Sequence, residues 1–226
     1  MKRLVSIVVC LLGLGSFSQA SAQETVDIGI IKNEQITVVQ KLLYPKTARS
    51  EIGLHLGWMP FDAYLTTPNL QFSWDTHRSE SLSFGGVIGG GYGMKSSTYK
   101  ELESPTIGVA VNAYRYLGSV LGGVQYSPVY AKMNVEGKGI LHHDVYGALR
   151  AGLTVEQSVI PSGGLAFAPT LSFGLGARIF LSSDAAIRLE VRDDFLLESR
   201  SLTNSLHLKQ SANLTIGYTM LSGRKR

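Results

Sequence analysis

What the 226-residue chain lacks narrows it first. It has one cysteine, Cys10, inside an apolar N-terminal stretch, so nothing after residue 22 can form a disulfide or act as a thiolate. Small secreted soluble domains often depend on disulfides. After residue 22 no apolar run approaches the ~20 residues that a helix needs to cross a bilayer. Neither sign of charge dominates, with 21 basic residues against 17 acidic ones, and two of the basic ones are Lys2 and Arg3. That balance argues against nucleic acid as a partner. There is no G-x-S-x-G nucleophile elbow and no phosphate-binding loop. Gly89-Gly90-Gly91-Tyr92-Gly93 lies on an alternating segment, not between a strand and a helix.

The N-terminus carries an export signal. Met1-Lys2-Arg3 is followed by an apolar run from Leu4 to Phe17 and by the small-residue site Ala20-Ser21-Ala22. This pattern predicts a signal peptide over residues 1–22, cut after Ala22. Val9 precedes Cys10 where a lipidated cysteine would need a small residue, so a lipoprotein is not expected. Residues 23–48 read as a periplasmic lead-in, with a short strand conceivable over Val26 to Ile31. Residues 223–226 form a short basic tail.

From residue 49 the period is two. Leu171, Phe173, Leu175, Ala177, Ile179 and Leu181 share one face, opposite Thr170, Ser172, Gly174, Gly176 and Arg178. After the turn Ser182-Ser183-Asp184, Ile187, Leu189 and Val191 alternate with Arg188, Glu190 and Arg192. The same alternation predicts eight strands: 51–59, 69–77, 81–93, 119–133, 140–155, 165–181, 186–197 and 206–221. A strand over 106–116 paired with 25–31 would make ten. Arms of 12 to 16 residues exceed the ~5–6 of ordinary soluble strands. Short turns alternate with longer connections at 60–68, 94–118, 156–164 and 198–205. The expected fold is all-β: an eight-stranded antiparallel up-and-down transmembrane β-barrel over residues 49–222, with short periplasmic turns and longer external loops. A soluble lipocalin-like barrel is the rival. Trp58, Trp74, Tyr92, Phe195 and Tyr218 lie on apolar faces near strand ends, as an aromatic girdle would.

In a barrel this narrow, side chains fill the lumen. His142, Asp144, Arg150, Arg178, Arg188, Glu190, Arg192 and Asp194 are the expected lumenal charge network, because an unpaired buried charge is costly. His142 and Asp144 share a face and would pair there, while His143 points outward. Two such groups fall short of a closed zinc site, so no metal and no cofactor is expected. Asp193 breaks the alternation, which requires either a position at the external rim or a bulge.

Several segments together carry a family resemblance. They are Val39-Gln40-Lys41 with Tyr44-Pro45-Lys46, then Arg49 to Gly57, then Ser127-Pro128-Val129-Tyr130-Ala131-Lys132. His142-His143-Asp144-Val145-Tyr146, Ala177 to Leu181 and Ile187 to Asp193 complete the set. The chain resembles small outer-membrane β-barrel domains of myxobacteria-like genomes, similar in outline to OmpA-type barrels. The resemblance implies a barrel of a Gram-negative envelope, sometimes associated with envelope machinery such as gliding motility, with no shared catalytic residue. The expected function is a structural or interaction role in the outer membrane, with the lumen closed by its polar network. Outer-membrane lipid is the first partner, and envelope proteins could be met through the loops or the lead-in. A narrow porin-like channel is the alternative, and an outer-membrane enzyme a more distant one.

Overall fold

The computed structural model describes residues 43–60, 62, 64–109, 111–135, 139–159, 163–200 and 205–223. The expected signal peptide, residues 23–42 of the expected lead-in, the turn at 136–138 and the tail residues 224–226 lie outside the described residues.

Each of the eight expected alternating segments is strand. In chain order the elements are β1 (Ser50–Met59), β2 (Leu65–His77), β3 (Leu82–Gly91), the two-residue β4 (Met94–Lys95), helix α1 (Ser97–Glu103), β5 (Tyr114–Val135), β6 (Gly139–Ser158), β7 (Leu165–Phe180), β8 (Ala185–Arg200) and β9 (Ser205–Ser222). Every pairing is antiparallel between neighbours, and β1 also pairs with β9 from Ser50↔Ser222 to Trp58↔Leu214. That last ladder closes the sheet. The eight long strands form an up-and-down transmembrane β-barrel, with β4 only a short flap on the start of β2.

Register also sets the tilt. Stepping across the ladders from Ile52 leads through Trp74, Gly86, Gly122, Ala151, Leu171 and Phe195 to Gln210. Gln210 is four residues beyond Leu214, the partner of Trp58. The circuit therefore returns to β1 about ten residues further on, which tilts the strands by roughly 40° and makes the barrel narrow.

The faces are the reverse of a soluble protein's. Leu56 and Leu175 on the outside are 67% and 63% exposed, while Glu51 and Arg178 on the inside are 0% exposed. Glycines let the interior close. A Cβ on Gly176 would stand 2.3 Å from the Tyr146 ring, so the missing side chain makes room for that tyrosine.

Three expectations change at the external side. The polar stretch Lys95 to Ser104 contains a helix, not a loop. Ser96 caps it by accepting a hydrogen bond from Tyr99 N at 3.2 Å, and Tyr99 is buried. Among the described residues of 106–113 none is strand, and β5 starts at Tyr114. Ser104 O accepts from the N–H groups of Ile107 and Gly108, and Gly108 turns the chain at φ 63°. Val111 and Ala113 then pack with Leu65 and Tyr99 into a small apolar core, giving this connection a cap-like interior. The connections expected at 60–68, 156–164 and 198–205 are shorter than read, because the ladders continue outward to Tyr114↔Ser158 and Arg200↔Ser205. Pro128 falls in a register shift between Tyr126 and Val129, where proline is tolerated. Asp193 keeps strict alternation and points outward without a bulge.

Candidate functional site

The lumen concentrates the chemistry, and it is easiest to follow from the periplasmic end. Before β1 the chain folds under the barrel as a strap, Tyr44 to Arg49. Arg49 N donates to Lys46 O and Ala48 N to His77 O, with Ala48 in the left-handed region at φ 58°. Glu80, in the β2–β3 turn, accepts from Lys46 N, Thr47 N and Thr47 Oγ1. Burial alone would raise the Glu80 pKa, but those donors hold its carboxyl below the ordinary value. Arg49 donates to Ser183 O and Leu221 O and pairs with Asp184 at 2.5 Å. The strap thus ties three elements at one level: the β2–β3 turn, the β7–β8 turn and the end of β9. Tyr44 stacks on Phe180 and sits edge-on to His142.

Lys46 reaches up from the strap to Asp144. Asp144 also accepts from Arg178 at 2.8 Å, and Arg178 bonds Glu51 at 3.1 Å. Glu51 in turn meets His77 at 2.9 Å. In the middle of the lumen Arg188 pairs with Asp75 at 2.6 Å and Glu190 at 3.1 Å, and donates to Gln125 Oε1 at 2.6 Å. Arg150 grips Glu190 with two bonds, at 2.6 and 3.0 Å. Tyr146 accepts from Arg188 Nε at 2.5 Å, donates to Glu190 at 2.8 Å, and lies under the guanidinium groups of Arg178 and Arg188. Above them Arg192 binds Asp194 and Gln71.

All eight expected network residues face the lumen and are buried. The structure joins seven of them as above, but it separates His142 from Asp144. The His142 ring takes the Tyr130 hydroxyl at 3.0 Å, because Lys46 and Arg178 occupy Asp144. Sequence reading missed Lys46, Glu51, Asp75, Gln125 and Tyr146. Parity on β1, β2, β5 and β6 places the last four inward and could have found them. Lys46 lies before any strand and has no parity to read. With these residues the lower and middle lumen holds Lys46, Arg150, Arg178, Arg188 and Arg192 against Glu51, Asp75, Asp144, Glu190 and Asp194. The charges balance one for one.

Toward the external mouth, Lys209 is held by Glu156 at 2.9 Å, Glu198 at 3.1 Å and Asp62 at 3.6 Å. A cavity of about 20 Å³ beside it, lined by Tyr116, Thr154 and Ser211 among others, has room for about one water. Among the described residues no cluster of His, Cys, Asp and Glu is arranged to hold a metal. His55 touches Ser73 at 2.7 Å, but both are buried inside the wall of packed side chains.

The girdle residues fall into two tiers. At ~3.3 Å per residue and the tilt above, Trp74 and Tyr218 lie at one level, and Trp58, Phe195 and Tyr92 lie about 12–18 Å higher.

No family model and no curated protein matches the chain. Solved structures similar to it include Neisserial surface protein A, at 10% identity and TM-score 0.47, covering 76% of this chain and 95% of that one. The attachment invasion locus protein Ail of Yersinia pestis gives 11% identity and TM-score 0.39, with coverage of 77% and 97%. A de novo designed transmembrane β-barrel gives 17% identity and TM-score 0.37, with coverage of 78% and 98%. The assignment as a barrel rests on the closed ladder itself.

Proposed function

We propose that this protein is an outer-membrane β-barrel of a Gram-negative envelope with a structural or interaction role, exported by its signal peptide and closed along its axis. The carrying observation is the filled lumen. Five buried cations face five buried anions, Tyr146 and Gln125 fill the space between them, and the cavity beside Lys209 measures about 20 Å³. A conducting pore needs a continuous wetted path, whereas charges paired at 2.6–3.1 Å occupy the axis with their own bonds. Removing one partner of such a pair would leave a buried charge uncompensated, so each member holds the others in place.

With the axis closed, the surfaces left for action are the two ends. Outside are the cap over α1 and the raised strand ends. Inside is the strap. The test is electrical. Purified, refolded protein in planar bilayers should give no stable open events above the bilayer baseline. Reproducible single-channel steps from the unaltered protein would replace this reading with that of a narrow solute channel.

A further inference from the structure

The outward face of the barrel is not equally tall all round. At its lower edge the strap holds the β2–β3 turn, the β7–β8 turn and the end of β9 at one level, and the β5–β6 hairpin runs further, to Val135↔Gly139. Its upper edge is not level. On β1 the outward apolar row of Ile52, Leu54 and Leu56 ends at Trp58, just before Pro60. On β7 to β9 apolar side chains continue well past that level. Leu165, Phe167, Leu197, Leu206 and Leu208 all point outward, with Leu206 76% and Leu208 67% exposed. By the rise and tilt already used, these five lie about 5–15 Å above Trp58 and Phe195. Exposed apolar surface on this scale marks a contact with something apolar.

A groove connects the two zones. It measures about 560 Å³ and is lined by Leu171, Phe173 and Phe195 below and by Pro169, Leu197 and Leu208 above. Small residues shape its floor, since Ala151 and Gly152 sit across the ladder from Leu171 and Thr170. The groove is continuous with the lipid-facing band beneath it, and no charged side chain lines it. Beside it Gln210 donates to Asp193 at 2.5 Å, a polar pair at the height of the upper aromatic tier.

We propose that the β7–β9 wall raises the outer boundary of the hydrocarbon. Acyl chains of outer-leaflet lipid run up the Pro169 groove and cover the five upper residues, and Asp193 and Gln210, lower on the same wall, satisfy one another by their hydrogen bond. On the β1–β2 wall the boundary stays at Trp58. The protein therefore imposes a step on the leaflet around it, a local form of hydrophobic mismatch. This rests on the reading of the barrel as a membrane protein.

Single-cysteine variants L206C, L208C and I216C, each in the Cys10-free chain and labelled with an environment-sensitive fluorophore, test it in phosphatidylcholine vesicles. Folding is checked by heat-modifiable gel mobility, and L208C stands in if L206C does not fold. Quenching by acyl-brominated phosphatidylcholine should be similar at 206 or 208 and at 216, within about twofold, since all three would sit in hydrocarbon. Aqueous iodide should quench a label at Ile107, on the exposed cap, several-fold more than one at 206. If 216 is quenched by brominated lipid while 206 and 208 respond only to iodide, the raised boundary is wrong and the membrane reading survives. If 206 and 208 are shielded from both quenchers, a protein neighbour covers the wall and the inference fails. If 216 also responds only to iodide, the membrane reading itself is wrong.

Discussion

At the scale of single residues, the strap shows how one carboxylate can fasten a segment that has no secondary structure of its own. Glu80 takes two backbone N–H groups and one hydroxyl from Lys46 and Thr47, at 2.7–3.1 Å. Its pKa is lowered in the folded chain, so the stabilisation is complete above the unfolded carboxylate value of ~4.3 and is lost as pH falls through the lower folded value. Glu80→Gln should therefore lower the unfolding temperature at neutral pH, with the difference from the natural protein shrinking as pH falls below the unfolded carboxylate value of ~4.3. Thermal shifts of the folded gel band across pH would show it. A difference as large at pH 3 as at pH 7 would mean that Glu80 acts by shape alone. Lys46 illustrates the limit of reading residues from sequence. Parity assigns a face only to strand residues, and Lys46 enters the lumen from a turn, so nothing local announces it.

At the scale of elements, glycine placement decides where strands can approach one another. A Cβ on Gly152 would stand 2.0 Å from Val120 O on the neighbouring strand, whereas one on Gly147 meets nothing closer than 3.8 Å. Both glycines are on β6. Gly152→Ala must push the β5–β6 ladder apart, an overpacking cost of about 1–3 kcal/mol or more. Gly147→Ala should stay within about 0.5 kcal/mol, as for an open surface site. Urea unfolding followed by gel mobility compares the two, and equal behaviour would refute the close-approach account. Most of the elements could be read beforehand because lipid outside and charge inside force a strict period of two. Leu171 to Leu181 and Arg178 to Arg192 show it most clearly. The external strand ends were harder, since Glu198 to Arg200 have polar neighbours and no apolar face to mark them as strand. Helix α1 was hidden for a related reason: seven residues with one buried side chain, Tyr99, carry no helical period.

At the scale of the whole molecule, the question is where the closure of the lumen sits. The strap seals the periplasmic mouth with Lys46, but the layer around Arg188 lies above it and contains bonds to Asp75, Gln125, Tyr146 and Glu190. Lys46→Ala leaves Asp144 still paired with Arg178, so it should cost stability without opening a path. Arg188→Ala alone strands Asp75 and part of Glu190, a loss of about 3–5 kcal/mol for a broken buried pair. Removing Asp75 as well restores the balance of charge and should recover part of that loss, by roughly 0.5–3 kcal/mol of coupling. The Arg188→Ala, Asp75→Ala double variant therefore keeps a foldable, neutral lumen while vacating its middle. In planar bilayers it should conduct small ions, and Lys46→Ala should remain silent. The reverse result, conduction from Lys46→Ala and silence from the double variant, would place the seal in the strap. The barrel would then be a channel held shut from the periplasm, and no longer one filled by its own wall.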